Sequence, residues 1–326
     1  LLAAAALSAL AGSADRQSTG SKETGIMSTT VVIEPLSATC AGCEVAILDL
    51  GVGLLDLLEK ISIVHASILM DHKYRTPAGN AADFDMPEAD VGILSGGIRL
   101  EENIAVVKAM REKCKTLVAF GTCACTGGIP ALANLVPINT LKDGIAATEE
   151  HPEQDEFELP GMTSRLIAVN EVVEVDVVLP GCPPPVNLVA SALTAIVEGK
   201  PFQLPEDTVC NECPRTKEKR TVAADNGLAF PEMLRPLEVP PLEKRCLIEQ
   251  GYFCMGAATR SGCGAKCLQA GVPCRGCMGP KRIGENPRAE MLGALSAYNY
   301  ALRDVFDRRA TFNWFTGGHN NLRPGR

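Results

Sequence analysis

At 326 residues with 46% apolar content, the chain can bury a substantial core, and its length suggests about two domains. A formal charge of -8 disfavours nucleic acid as a partner, and beyond the N-terminus no apolar run reaches the length of a membrane span. Its fourteen cysteines are too few for a disulfide scaffold and bunch in ways that suit metal, so a reducing compartment, the cytoplasm, is the expected home.

Residues 1–27 read as an N-terminal extension. The run Leu1 to Gly12 is apolar and alanine-rich like the middle of a signal peptide, but no basic segment precedes it and no Arg-Arg pair lies nearby. A tag remnant, a misassigned upstream start or a truncated export signal would each produce this pattern.

From Thr29 the pattern becomes regular. Val31 to Leu36 reads as a buried strand, followed by a turn and an apolar helix expected over Cys43 to Lys60. Further strands are expected at Ile61 to Leu69, Val91 to Ser95, Thr116 to Gly121 and Val175 to Leu179. Helical periods separate several of them: Ile104, Val107 and Met110 share a face of Glu102 to Lys113, and Leu188, Leu193 and Ile196 share one of Val186 to Glu198. This alternation predicts an α/β domain over residues 28–200, a doubly wound parallel sheet of flavodoxin-like type.

Cysteines follow three of these strands. Cys40 and Cys43 come after the first, Cys123 after the strand ending at Gly121, and Cys182 after the strand ending at Leu179. In an open parallel sheet those loops share the carboxyl edge, where crossovers leave a crevice for a ligand, so four thiolates converge from distant parts of the chain. Cys123 and Cys182 as small buried residues would be the plain alternative. Cys125 is a possible alternate ligand, and Cys114, at a helix end, reads as an ordinary thiol.

Residues 201–326 form a second, irregular domain, entered through a charged and proline-rich stretch from Pro201 to Pro241. Between Cys246 and Pro280 lie six cysteines, Cys246, Cys254, Cys263, Cys267, Cys274 and Cys277, separated by glycine and proline that leave no room for a long helix. Soft thiolates in glycine-rich turns are what a cubane iron-sulfur cluster needs, since the backbone must wrap closely around an inorganic core. Zinc and disulfides are the competing uses of such cysteines.

Cys40-Ala-Gly-Cys43-Glu44, Gly121-Thr122-Cys123-Ala124 with Gly127-Gly128, and Pro180-Gly181-Cys182-Pro183-Pro184 resemble the three motifs that bind the proximal 4Fe-4S cluster in small subunits of nickel-iron hydrogenases. The last motif and the fold are shared with the terminal-cluster subunit of respiratory complex I, so the second half of the chain decides. There, Cys213-Pro-Arg215, Cys246-Leu-Ile-Glu-Gln-Gly251 and Cys254 match the family's distal-cluster motif, with Cys210 in place of a histidine. That departure resembles the soluble, cytoplasmic members, which pass electrons to heterodisulfide reductase, a deazaflavin coenzyme or nicotinamide nucleotide. Cys263 and Pro273-Cys274-Arg-Gly-Cys277 resemble the medial motif. Cys267 stands near the place where many relatives have proline and a 3Fe-4S cluster, and completes a 4Fe-4S set.

The resemblance, over roughly residues 30–285, thus implies three 4Fe-4S clusters: proximal on Cys40, Cys43, Cys123 and Cys182; distal on Cys210, Cys213, Cys246 and Cys254; medial on Cys263, Cys267, Cys274 and Cys277. It also implies a large-subunit partner that holds the nickel-iron centre, and an electron-acceptor subunit carrying flavin or iron-sulfur. Rival classes are a zinc-binding interaction module and a ferredoxin-like carrier with no hydrogenase partner. Glu44 suits a proton relay, or equally a carboxylate favoured at a helix N-terminus. His65, His72, His151 and His319 match no metal spacing. Arg260, Lys266, Arg275, Lys281 and Arg282 either offset cluster charge, steer an acidic acceptor or form a solvated basic face. The acidic run Glu149 to Glu158 reads as a loop. Phe312, Trp314 and Phe315 either pack onto their own domain or anchor a partner.

Overall fold

The computed structural model describes residues 28–67, 86–146, 161–218, 233–235 and 237–325. The N-terminal extension, the far end of the strand expected to reach Leu69, His72, His151 and the run Glu149 to Glu158 lie outside the described residues.

Strands rich in Val and Ile, apolar on both sides, assemble where both faces of a sheet are covered. β1 (Thr29–Pro35), β2 (Ile61–Ala66) and β3 (Ala89–Ser95) join β5 (Cys114–Phe120) and β7 (Val177–Leu179) in a five-stranded sheet. Its order is β2-β1-β3-β5-β7, with every pairing parallel. Apart from it, β4 (Ile98–Leu100) pairs antiparallel with β6 (Met162–Ile167). Val32, Leu94, Leu117 and Ala119 face one core, and Val31, Ile33, Ile93, Val118 and Phe120 face the other. Counted along the chain, the sheet order is the flavodoxin-like one, and its direction reverses between β1 and β3. The α/β expectation therefore holds, with strand ends within two residues of the expected ones where they are described.

The helix expected from Cys43 to Lys60 is two helices, α1 (Gly42–Leu48) and α2 (Val52–Leu58). Gly51 stands between them at φ 59°, a conformation that ends a helix and that glycine adopts without steric cost. The next helices are α3 (Glu101–Lys113), the short α4 (Thr122–Thr126), α5 (Ile138–Ala146) and α6 (Val186–Val197). Val106, Val107 and Met110 of α3 and Leu188, Val189, Ala192 and Leu193 of α6 are buried, one helix against each face of the sheet.

After α6, single bridges replace strand ladders among the described residues. α7 (Val209–Glu212), α8 (Lys266–Gln269), α9 (Arg288–Ala297) and α10 (Arg308–Phe312) are joined by turns such as Ile248–Gln250 and Met255–Ala258. The tail completes this region. Met291, Leu295, Val305 and Phe312 pack with Tyr252, Met255 and Leu268 in one core, where the Phe253 and Phe312 rings meet edge to face at 5.4 Å. Phe312 and Phe315 are buried, whereas Trp314 keeps 36% of its surface exposed with the Arg275 guanidinium 5.4 Å from its ring centre. The chain end then ties back to the sheet half: Gly318 N–H donates to Thr126 O at 2.9 Å and His319 N–H to Glu171 at 2.9 Å.

Candidate metal centres

The loops after β1, β5 and β7 carry the first group of thiols, at the carboxyl edge of the sheet and beside its reversal point. Cys43 lies in the first turn of α1 and is buried, while Cys40 in the preceding turn is exposed. Cys123 opens α4, and Cys182 lies in the turn before α6. Burial raises the Cys43 thiol well above its usual range, and Glu44, Cys123, Cys125 and Cys182 raise it further. Burial, then the charges of Cys182 and Cys40, push Cys123 up to about 12, and burial followed by Cys40 raises Cys182. Cys123 and Cys182 thus feel both Cys43 or Cys40 and each other, which brings the loops after β1, β5 and β7 together.

Two glycines leave that volume open. Gly121 sits at φ 83°, and a Cβ there would overlap Cys43 Sγ; one on Gly128, at φ 56°, would lie 2.6 Å from Cys123 Sγ. Only glycine combines that backbone with that clearance. Cys125 points the other way. It is fully buried in the core under the sheet and donates its thiol to Ala119 O at 3.3 Å, whereas Cys123 is only partly buried. Cys114 is buried in the same core, its thiol raised to about 11 by burial.

A second group gathers Cys263, Cys267, Cys274 and Cys277. Burial pushes Cys277 up to about 12, with Cys274, Cys263 and Cys267 adding to the effect. The Cys274 thiol, at about 11, is raised by burial and then by Cys263 and Cys267, against the pull of the Gly276 N–H and the Thr259 hydroxyl. Cys267 is exposed, on the one-turn helix α8. Glu212 anchors the group from outside: its carboxylate accepts from the N–H of Gly262 at 2.7 Å and of Gly264 at 3.1 Å, on either side of Cys263.

The third group is Cys210, Cys213, Cys246 and Cys254. Cys210 Sγ and Cys254 Sγ lie 3.5 and 3.6 Å from the place a Gly256 Cβ would take, with the Cys274 Cβ 3.9 Å from it, so this group borders the second. Cys213 ends α7. Burial raises Cys246, while the N–H groups of Glu249 and Ile248 favour its thiolate. Cys246 and Cys210 both act on the Tyr298 phenol, which burial and Glu249 first raise, in all to about 12. Arg215 closes the loop by donating to the carbonyls of Leu268 (2.9 Å), Leu242 (3.0 Å) and Arg245 (3.1 Å). Gln250 joins it with Nε2 on Arg245 O at 2.9 Å.

Arg260 departs from the basic-face expectation. It is buried, with Nη1 on Pro205 O at 2.6 Å, because its backbone is stitched between Thr208 and Gly279. Two histidines are engaged elsewhere, His65 with Glu34 at 2.9 Å and His319 with Asn170 at 2.9 Å. Glu44 accepts from the Ser95 hydroxyl, and its second oxygen is buried without a hydrogen-bond partner. Sequence reasoning passed over Glu212, Gln250 and Thr122, whose hydroxyl donates to Cys277 O at 2.5 Å. Their position one residue from a cysteine, or within a cysteine spacer, was the available signal.

All fourteen cysteines are free, and buried thiols that raise one another resist losing their protons until a cation takes up the charge. Such a donor set fits the class of metal-thiolate proteins, with iron-sulfur or zinc as the guest.

Comparison with known proteins narrows the class. The family model described as NADH ubiquinone oxidoreductase, 20 Kd subunit, matches residues 40–196. The G subunit of the vhu F420-non-reducing hydrogenase of Methanococcus voltae is 38% identical over 282 residues, covering 85% of this chain and 91% of that protein. Its counterpart in the F420-non-reducing hydrogenase of Methanothermobacter thermautotrophicus is 36% identical over 264 residues, covering 79% and 81%. A solved chain of an NAD+-reducing NiFe-hydrogenase in the H2-reduced state aligns at 27% identity with a TM-score of 0.47, over 55% of this chain and 96% of that one. The chain belongs to the family of small, iron-sulfur subunits of nickel-iron hydrogenases, and is an oxidoreductase subunit.

Proposed function

We propose that this subunit holds three 4Fe-4S clusters and carries electrons between a nickel-iron large subunit and an acceptor subunit bearing flavin or iron-sulfur. The ligands are Cys40, Cys43, Cys123 and Cys182 for the proximal cluster, Cys263, Cys267, Cys274 and Cys277 for the medial, and Cys210, Cys213, Cys246 and Cys254 for the distal. The observation that carries this reading is that cysteines far apart in the chain line shared spaces that glycine keeps clear, Cys43 and Cys123 beside Gly121 and Gly128, and Cys210 and Cys254 beside Gly256. When bound, the clusters supply one-electron relay chemistry. The chain's own part is to space them, bury them and direct N–H groups at their sulfurs.

Residues 28–200 carry the proximal set and residues 201–326 the other two. Val45 and Leu48 of α1 and Val52 and Leu55 of α2 are exposed apolar side chains on the elements that follow Cys40. This face supports docking of the large subunit, where dihydrogen is split, beside the proximal cysteines. At the other end Leu237, Val239 and Leu242 are exposed on the stretch that Arg215 and Gln250 tie to Cys246, and these support an acceptor site at the distal set. Glu44, one carboxylate oxygen unpartnered, is assigned a proton-relay role. No described helix is long and apolar enough to cross a membrane; the cytoplasm is the compartment that keeps so many free thiols reduced.

Purification of the complex from its native source tests the reading. About twelve iron and twelve sulfide per small subunit are expected, from four irons per cluster, with nickel in the co-purifying partner. A count near four in intact protein would remove the medial and distal clusters.

A further inference from the structure

Thr122 joins three loops that the chain brings from far apart. It is buried, with 1% of its surface exposed, and immediately precedes Cys123. Its N–H donates to Gly181 O at 2.9 Å, and its Oγ1 accepts from Gly181 N–H at 2.9 Å. The hydroxyl proton goes to the carbonyl oxygen of Cys277 at 2.5 Å. A hydroxyl has one proton and two lone pairs, so this side chain donates to one loop while accepting from another. Each partner adjoins or is a cysteine: Gly181 precedes Cys182, and Cys277 belongs to the medial group.

We propose that Thr122 is a positioning residue that sets the separation and orientation of the proximal and medial clusters. This rests on the assignment of Cys123 and Cys182 to the first and Cys277 to the second. One electron at a time passes between them, originating in dihydrogen, with no bond made or broken. The rate therefore depends on how rigidly the two cysteine loops are held. Threonine is suited to this, because its branched Cβ restricts χ1 and fixes the hydroxyl direction. A hydroxyl that merely satisfied buried backbone groups would affect stability and leave the communication between clusters unaltered.

The test uses the whole complex with Thr122→Val, which keeps shape and removes the hydroxyl, and Thr122→Ser, which keeps the hydroxyl. Iron content, the spin-spin splitting between the reduced proximal and medial clusters by electron paramagnetic resonance, and dihydrogen oxidation with benzyl viologen are measured. Thr122→Val should keep its iron, change the splitting and slow oxidation on the order of tenfold, the scale on which small misplacements act; Thr122→Ser should restore both. Wild-type splitting and rate in an iron-replete Thr122→Val protein would overturn the proposal. If valine prevents loading, Thr122→Ala provides the same comparison. Loss of proximal and medial signals with the distal one kept would support the clamp, and equal loss of all three in both variants would overturn it. A wild-type complex lacking the proximal or medial signal would instead defeat the ligand assignment beneath it.

Discussion

The two halves of the molecule are ordered by different physics. In the sheet half, strand residues such as Leu94 and Leu117 on one face and Ile33, Ile93 and Phe120 on the other bury apolar surface, and Cys40, Cys43, Cys123 and Cys182 follow the strands at one edge. In the other half the thiols are themselves core residues: Cys254 and Cys274 lie buried among Tyr252, Met255 and Phe312. Backbone there is held by side-chain clamps, Arg215, Glu212 and Gln250, in place of ladders. On the ligand sets proposed above, iron would sit at the edge of one half and inside the core of the other.

Removing iron should therefore separate the halves most sharply. The sheet is expected to keep its circular-dichroism signal, while residues 205–285 become open to protease, since their buried thiols lose the cations that hold them together. Uniform resistance after cluster loss would show that the tail packing of Met291, Leu295 and Phe312 suffices. A more local break is Gly121→Ala. The new methyl would enter the space of Cys43 Sγ in a backbone conformation that disfavours it, so the proximal signal should vanish while medial and distal signals persist. Retention of the proximal signal would show that α1 can retreat.

Cys267→Ala probes the exposed corner of the medial set. One thiolate fewer should leave a 3Fe-4S centre, visible by electron paramagnetic resonance when oxidised, with iron falling by about one per chain. Unchanged iron and spectra would make Cys267 a surface thiol.

The smallest effect expected is in the sheet half. Asp90 accepts from Thr30 N–H at 2.9 Å, Thr30 Oγ1 at 2.8 Å and Lys115 Nζ at 2.7 Å, and these bonds, that to Lys115 first, lower its carboxyl to about 2. A depressed carboxylate stabilises the fold above its unfolded value, about 4, and that stabilisation is lost as pH falls toward 2. The pair is open to solvent, so Asp90→Asn should cost at most about 1 kcal/mol at neutral pH. The loss should disappear below about pH 2, where both forms are neutral. Denaturant titrations at the two pH values check this, and a pH-independent difference would refute it.

Much of the architecture was legible in the chain itself. Apolar runs of strand length alternating with 3.6-residue periods determined the sheet, because side-chain periodicity is local information and burial on both faces demands it. The three cysteine motifs at strand ends were equally readable. A glycine inside an apolar run defeated the helix reading, since a single φ near 59° at Gly51 ends a period that residues on either side continue.

Other features exist only where distant segments meet. Arg260 reads as a surface cation until Thr208 and Gly279 enclose its backbone, and residues 288–312 carried no motif although they complete the second core. Cys125 and Cys123 are two residues apart and chemically identical, yet one faces the core beneath the sheet and the other the crevice above it. That direction is set by the short helix after Gly121, and Thr122 acquires its three bonds only once Gly181 and Cys277 arrive beside it. Sequence patterns specify which groups are available and how each segment folds locally; the contacts that join segments depend on their relative placement, for which a single local stretch holds no record.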